Sequence, residues 1–386
     1  MGGLAATGPG RPKCLTRAKF RNEPLRRSLP FRGPAAGVPA RPPRLSPAIE
    51  RGRSMQTTMT TTRAQPLDPQ ASTEPATLCG EHRRQLLAIL ASLEQQGYDF
   101  VAPTPSTHRR VITRPGRQLA GNLVDVLGWS LPVMPGLLDR AMETALVDAG
   151  LLSPREDGLL EPQMRASRVR GQLFLHSAYP TTAADAVFLG PDSLRFSHLI
   201  TAEMPRRVDS ILDYGAGAGV GGIIAALERP GATLAIADIN PKALFLASIN
   251  AEHAGVDHRV LHVGAPEEID QALDLMVTHP PFMIDSQQRA YRDGGDLHGA
   301  RLSLDWALAG ARMLPPGGRF IMHTGVAIVQ GRDGLHEALA HELPNGCTLT
   351  YYEMDSDIFG DELETAEYAE VDRIAAVAVI IDRDAA

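Results

Sequence analysis

The chain has 386 residues, a net charge of −7, 44% apolar and 22% charged residues, which is typical of a globular protein with room for two domains and a tail. No apolar run approaches the roughly 18 residues of a membrane-spanning helix, so the sequence excludes a transmembrane helix. Cys14, Cys79 and Cys347 are too scattered for a disulfide framework or a metal-ligand motif. This cysteine usage predicts a protein of the reducing cytoplasm with no bound metal.

The charge is unevenly distributed, because residues 1–53 carry twelve Lys and Arg against two acids, while the rest of the chain has a net charge of −17. The first 78 residues lack an apolar period and are predicted to be a disordered basic leader. A basic arm can bind nucleic acid, and an Arg-rich start also resembles an organelle transit peptide. A simpler interpretation is a non-native leader, with the native start at Met55 or Met59 and residues 1–54 foreign to the protein.

Residues 79–185 are predicted to form a small, mainly helical accessory domain with a little sheet. Apolar residues recur with a helical period over residues 82–93. The run Val169–Leu175 is predicted to be a strand. At the link into the next domain, the candidates to close over a ligand are Phe188, Asp192 and Ser193.

Strands and helices alternate from residue 186 to residue 386, which predicts a doubly wound α/β domain with a parallel sheet of seven strands. The last two strands are so close in sequence that they predict an antiparallel edge. The predicted strands are 211–214, 233–237, 260–263, 273–278, 319–324, 348–353 and 374–381, and the predicted helices between them are 220–227, 241–254, 297–313 and 333–340.

The first strand of this domain runs into a glycine-rich turn, Asp213 to Gly219, of sequence DYGAGAG. Glycine permits a tight turn and a close approach to a ligand. Dinucleotide enzymes use nearly the same turn, but a carboxylate at Asp213 suits a cationic ligand better than a pyrophosphate. Asp238 ends the second strand, where it can accept hydrogen bonds from both ribose hydroxyls of an adenosine. Alternatively Asp238 caps the next helix, a role that Asn240 can also fill.

The fourth strand ends in the sequence THPPF, residues 278–282. The two prolines fix two φ angles and remove two N–H donors, so the turn presents rigid carbonyl acceptors to a planar N–H substrate. Phe282 is predicted to stack on a flat base or amide. The alternative is a plain turn at the end of a strand, with Phe282 in the core.

In combination these motifs resemble the class I S-adenosylmethionine (SAM) methyltransferases of the small methyltransferase domain group, which includes N5-glutamine, guanine-N2 rRNA and adenine-N6 enzymes. The resemblance covers about half of the chain and implies a Rossmann-like methyltransferase sheet, SAM as cofactor and methyl transfer without a metal. The residues predicted for cofactor binding are Asp213, Gly215, Gly217, Gly219, Asp238 and Asn240. Those predicted for catalysis are His279, Pro280 and Phe282, and those for substrate binding are Pro281, Tyr291 and Arg292, the last two as a substrate lid.

One position departs from the family pattern, because His279 replaces the Asn of the Asn-Pro-Pro-Phe/Tyr motif. Imidazole cannot donate and accept in one plane as an amide does, so His279 is either a general base or a passive replacement. Weaker candidates are His323 and Thr324 at the cleft. The acidic residues Glu353, Asp355, Asp357, Asp361 and Glu362 fit no defined metal loop and are predicted to be a solvated face, the alternative being a site for a cationic substrate or a metal.

The leading hypothesis is N-methylation of a protein side chain or an RNA base, with the accessory domain choosing the target. The acidic folded part of the chain disfavours tight binding of a long nucleic acid through a basic face. One alternative is N- or O-methylation of a small molecule, and another is a SAM-binding module without catalysis. An NAD-dependent oxidoreductase would explain the glycines but not the His-Pro-Pro-Phe turn. The sequence names neither the acceptor nor the oligomeric state.

Overall fold

The computed structural model describes residues 74–270 and 273–385. Nearly all of the predicted leader, with both candidate start methionines, lies outside the described residues. The described residues belong to one compact unit, Pro69–Ala386. Among them, no helix is both long enough and apolar enough to cross a membrane.

Helices and strands alternate through the second half of the chain, after a first half of helices and short hairpins. The helices of the described residues are α1 (Glu74–Gln95), α2 (Pro105–Ile112), α3 (Leu123–Leu127), α4 (Arg140–Asp148), α5 (Pro191–Glu203), α6 (Val220–Glu228), α7 (Pro241–His253), α8 (Arg301–Met313) and α9 (Gly334–Glu342). The strands are β1 (Leu152–Pro154), β2 (Leu160–Pro162), β3 (Met164–Val169), β4 (Gln172–Ser177), β5 (Ser210–Tyr214), β6 (Thr233–Asp238), β7 (His258–His262), β8 (Leu275–Thr278), β9 (Arg319–Val329), β10 (Arg332–Asp333), β11 (Cys347–Asp355) and β12 (Arg373–Arg383).

The central sheet has the strand order β7-β6-β5-β8-β9-β12-β11. The first five of these strands are parallel, whereas β12 is antiparallel to both β9 and β11. The short β10 folds back onto β9. On β5, Ile211 belongs to one hydrophobic cluster and Leu212 to the other, so both faces of the sheet are covered, as in other parallel sheets. The predicted doubly wound sheet with an antiparallel edge is confirmed.

The strand order reverses between β5 and β8, because β6 and β7 lie on one side of β5 while β8 and β9 lie on the other. In open α/β sheets, ligands bind at such a switch point, outside the carboxyl ends of the strands. The glycine turn follows β5 and the His-Pro-Pro-Phe turn follows β8. The topology therefore brings the two motifs to one crevice.

The segment before residue 186 packs directly on this sheet domain through a buried amide. Asn250, on α7, accepts a hydrogen bond from Leu175 N at 2.8 Å and donates to the carbonyls of Leu175 and Ala218 at 3.1 and 2.9 Å. This one side chain ties the hairpin strand β4 to the glycine turn. Residues of both segments also share one hydrophobic cluster, and the division at residue 185 stays a prediction.

Two local predictions are wrong, both because of left-handed backbone. The run predicted as one strand, Val169–Leu175, is split by a turn at Arg170 and Gly171, whose φ angles are +49° and +86°. It belongs to a hairpin of β3 and β4. The helix predicted to begin at Leu297 begins at Arg301, since Leu297 and His298 have φ angles of +58° and +53° and cannot continue a right-handed helix.

Candidate functional site

A cavity of about 760 Å³ lies at the carboxyl ends of β5, β6 and β8. Its volume falls within the range of roughly 300–1,000 Å³ that is usual for ligand sites. One of the residues predicted for cofactor binding, Gly219, does not line this cavity and instead caps α6, with a φ of +82°. The sequence-predicted site residues that line the cavity are Asp213, Gly215, Gly217, Asp238, Asn240, His279, Pro280, Pro281, Phe282, Tyr291 and Arg292.

The glycine turn is a left-handed bend that leaves its backbone open to the cavity. Gly215 and Gly217 have φ angles of +64° and +56°, a region that glycine adopts at little cost. A Cβ at Gly215 would lie 2.6 Å from the ring of Trp306, whereas a Cβ at Gly217 would meet no heavy atom within 4 Å. Gly215 is therefore needed for packing against Trp306, and Gly217 provides an unobstructed backbone surface for a ligand.

Asp238 joins the ends of two strands through its carboxylate. Its Oδ2 accepts from Gly217 N at 2.9 Å and its Oδ1 accepts from Asn240 N at 2.8 Å. Each carboxylate oxygen can accept further hydrogen bonds, so both remain available to ligand hydroxyls. Burial raises the pKa of Asp238 above its usual range. Asn240 accepts from Lys242 N at 3.0 Å and so caps α7, the alternative role foreseen for it, while also lining the cavity.

Asp213 borders the cavity, but its carboxylate bonds to protein backbone. Its Oδ2 accepts from Gly222 N at 2.7 Å in the first turn of α6. Burial raises the pKa of Asp213 to about 8, so in the free protein the group is largely protonated at neutral pH. Asp213 therefore attracts a cationic ligand less strongly than the sequence suggests. The role of Asp213 in cofactor binding stays a prediction.

His279 stands among aromatic rings in the cavity wall. Its ring lies 5.8 Å from that of Phe282 in a stacked arrangement and 4.7 Å from that of His323, edge to face. Its Nε2 is buried without a hydrogen-bond partner. Burial lowers the pKa of His279 to about 4, and the ring is therefore neutral near pH 7.

Phe282 is held tightly between strands and loops. A Cβ at Gly325, on β9, would lie only 2.3 Å from its ring, so glycine at that position makes room for Phe282. Phe359 contacts the same ring edge to face, with centroids 5.6 Å apart. The ring lines the cavity but is only 8% exposed, which combines the two roles foreseen for it, in the core and at the site.

Tyr291 and Arg292 follow the His-Pro-Pro-Phe turn on a segment anchored by ion pairs. The Tyr291 hydroxyl donates to the carbonyl of Thr181 at 2.7 Å, and Arg292 pairs with Glu362 at 2.7 Å. Arg289 makes a bidentate pair with Asp285, and this pair lowers the pKa of Asp285 to about 2. These contacts join the accessory segment and the loop after β11 across the cavity.

Residues 186–293 match the model of the family described as "Methyltransferase small domain". The match covers 108 of the 386 residues of the chain. The recognition made from the glycine turn, Asp238 and the Pro-Pro-Phe turn is thereby confirmed, and all three motifs lie within the matched residues.

Three curated relatives illustrate what the chain resembles. A release factor glutamine methyltransferase of Koribacter versatilis is 32% identical over 160 residues, which is 37% of this chain and 56% of the relative. A ribosomal protein uL3 glutamine methyltransferase of Bradyrhizobium diazoefficiens is 40% identical over 83 residues, 20% of this chain and 26% of the relative. A ribosomal RNA small subunit methyltransferase C of Hahella chejuensis is 32% identical over 108 residues, 28% and 29% of the two chains. The chain thus spans from about a quarter to little more than half of these relatives.

The weaker sequence candidates differ in whether they reach the cavity. Phe188, Asp192 and Ser193 line the cavity, and Asp192 pairs with Arg195 at 2.9 Å. His323 and Thr324 are fully buried. The acidic segment is not simply a solvated face, because part of it also lines the cavity, namely Asp357, Asp361 and Glu362.

Sequence reasoning missed several cavity residues that come from distant parts of the chain. Trp306 on α8, and Arg165, His108 and Tyr179 of the accessory segment, all line the cavity. None of these residues belongs to a motif that the sequence shows, although Arg109, Pro180 and Thr181 beside them also line the cavity. Only the contact between the accessory segment and the sheet domain brings them together.

Proposed function

We propose that this chain is a SAM-dependent methyltransferase that methylates a nitrogen of a protein side chain or an RNA base. One observation carries the proposal: the glycine turn, Asp238 and the His-Pro-Pro-Phe turn line a single cavity at the switch point of the sheet. Relatives named for protein glutamine and for ribosomal RNA support both acceptor classes.

The cavity wall fits an adenosine-containing cofactor. Gly217 leaves space where a side chain would stand, and the Asp238 carboxylate has lone pairs to spare beyond its two backbone N–H partners. Asp238 would accept from the ribose hydroxyls, and Gly215 and Gly217 would let the ligand approach the backbone. Bound SAM supplies an electrophilic methyl group on its sulfonium.

The His-Pro-Pro-Phe turn would hold the acceptor. The carbonyl of Pro280 would accept from an N–H of the acceptor, and neither proline offers a competing donor. This bond would keep the nitrogen lone pair directed at the methyl carbon, so that the N–C bond forms as the S–C bond breaks in line. Holding the reactants in this geometry supplies most of the rate enhancement.

His279 would bind the acceptor without removing its proton. With a pKa of about 4, its ring is a poor base at neutral pH, where the best general bases have a pKa near the operating pH. The neutral ring can still exchange hydrogen bonds with the acceptor and pack against Phe282. The acceptor nitrogen would release its proton to solvent after methyl transfer.

The decisive experiment is transfer of labelled methyl from SAM into a fractionated cell extract, with ribonuclease and protease controls. Label in RNA or protein supports the proposal and tells the two acceptors apart, whereas label in neither polymer points to a small molecule. Calorimetry with SAM and with NAD is the companion test. Strong NAD binding without SAM binding would refute a methyltransferase.

A further inference from the structure

Part of the cavity wall is built by the accessory segment around a buried cation. Arg165 on β3 is 4% exposed and His108 on α2 is 1% exposed, and both line the same cavity as His279. The Arg165 Nε donates to the carbonyl of Gly128 at 2.9 Å, but its Nη2 is buried without a partner. Within the part of the chain that the structure describes, neither ring nitrogen of His108 has a hydrogen-bond partner of good geometry.

The charge of Arg165 is not balanced by any carboxylate within 4.0 Å among the described residues. Its guanidinium lies over the ring of Phe100, 5.3 Å from the centroid, a contact that provides no hydrogen-bond acceptor for Nη2. Burial lowers the pKa of Arg165 only to about 10, so the group is charged at neutral pH, while His108, with a pKa of about 4, is neutral. A buried charge without a partner is costly, and an anionic ligand would offset that cost.

This wall is continuous with the part of the cavity that would hold the acceptor. The ring of His108 lies 4.0 Å from that of Tyr179, and Thr181, two residues later, accepts from the Tyr291 hydroxyl at 2.7 Å. Tyr291 belongs to the segment that follows the His-Pro-Pro-Phe turn. Arg165 and His108 therefore border the path of an acceptor rather than a separate pocket.

We propose that the acceptor carries a carboxylate group, which pairs with the Arg165 guanidinium and receives a hydrogen bond from His108. The inference rests on the proposed methyl transfer and narrows the class of acceptor to molecules that carry a carboxylate. A planar guanidinium matches a carboxylate in a bidentate pair, and one buried positive charge balances one carboxylate. An RNA chain, with one charge per phosphate, fits less well, since residues 54–386 carry a net charge of −17.

The test compares wild-type protein, R165M and R155M in transfer of labelled methyl to the acceptor fraction of a cell extract. Arg155 is the matched control, because it is a partly exposed accessory arginine, paired with Asp157, that does not line the cavity. Each protein is assayed on the untreated fraction and on the fraction whose carboxyl groups have been amidated with carbodiimide and ethanolamine. SAM affinity is measured in parallel by calorimetry.

We expect R165M to raise the apparent KM for the acceptor by about tenfold to a hundredfold, the usual effect of losing a hydrogen-bonded charge, with SAM affinity and kcat nearly unchanged. Amidation of the acceptor fraction should lower methyl transfer by wild type and by R155M to the same degree, whereas transfer by R165M should be unaffected by amidation. A thermal melt shows whether R165M folds, because the substitution removes an unpaired buried charge but also the hydrogen bond to the Gly128 carbonyl. If R165M does not fold, R165K keeps the charge and should show a smaller rise in KM.

Three results would overturn the inference: R165M and R165K with an unchanged KM, an amidation effect equal in wild type and R165M, or label that enters RNA equally in both. If the protein binds SAM and transfers methyl groups but amidation has no effect, the proposed function stands and the carboxylate inference fails. Absence of both SAM binding and methyl transfer would refute the proposed function, and the inference with it.

Discussion

Replacing Asp238 with Asn tests the cofactor site with little change in shape. The carboxylate accepts hydrogen bonds from Gly217 N at 2.9 Å and Asn240 N at 2.8 Å. An Asn keeps one acceptor oxygen but places an NH2 group against the other backbone N–H, so one of these two hydrogen bonds must break. The same change removes the charge that would strengthen bonds from the ribose hydroxyls.

A hydrogen bond to a charged group contributes about 1.5–3 kcal/mol, so D238N should weaken SAM binding roughly tenfold to a hundredfold. The broken backbone bond should also lower the melting temperature by a few degrees. Titration calorimetry measures the affinity, and a thermal melt separates it from loss of fold.

The matched control is D305N, because Asp305 pairs with Arg301 on the surface and does not line the cavity. It should bind SAM like wild type. If D238N is folded and its SAM affinity is within about twofold of wild type, the role of Asp238 is refuted, because the loss of hydrogen bonds to a charged group should weaken binding more than that.

Three further predictions concern the acceptor site and pH. Since the pKa of His279 is about 4, H279N should leave the shape of the pH–rate profile unchanged above about pH 5.5. If the wild-type rate instead falls below about pH 6.5 and this fall disappears in H279N, His279 is a general base. Burial raises the pKa of Asp213 from 3.8 to about 8, so its contribution to stability is complete below pH 3.8 and lost as the pH rises through 8. The free energy of unfolding, measured by chemical denaturation, should therefore depend less on pH in D213N than in wild type. An equal pH dependence in the two proteins would contradict the raised pKa. A Cβ at Gly325 would lie 2.3 Å from the Phe282 ring, so G325A should cost about 1–3 kcal/mol of stability and reduce turnover while sparing SAM affinity. G334A, where a Cβ meets nothing within 4 Å, is its control, and equal turnover in the two variants would refute the packing argument.

The sheet domain could be predicted closely because its signals are local. An apolar run bounded by turn residues marks each strand, and the bounds of β5 and β6 differ from the predicted ones by a single residue. The glycines at 215, 217 and 219 all adopt positive φ, as their clustering after a strand indicates. Strand order then follows from the few topologies that such alternation allows.

The accessory segment was harder to predict, because its elements are short and depend on distant contacts. The β3–β4 hairpin turns at Arg170 and Gly171, both in left-handed conformation, and a single glycine inside a strand pattern indicates a bulge as readily as a turn. Asn250 lies within a helix that the sequence predicts well, yet its amide bonds to a strand 75 residues away. A polar residue inside a helix carries no sign of the partner that it will meet.

The sequence by itself determined the class of fold, the resemblance of residues 186–293 to a methyltransferase family and the two motifs at the switch point, since these depend on local backbone preferences and on the order of strands. Only the tertiary structure decided the ionisation of the site. Burial makes His279 neutral and protonates Asp213, because removal from water penalises whichever form is charged. The tertiary structure also placed Arg165 and His108 in the same cavity as the His-Pro-Pro-Phe turn, since cavity walls are assembled from side chains that are far apart in the chain.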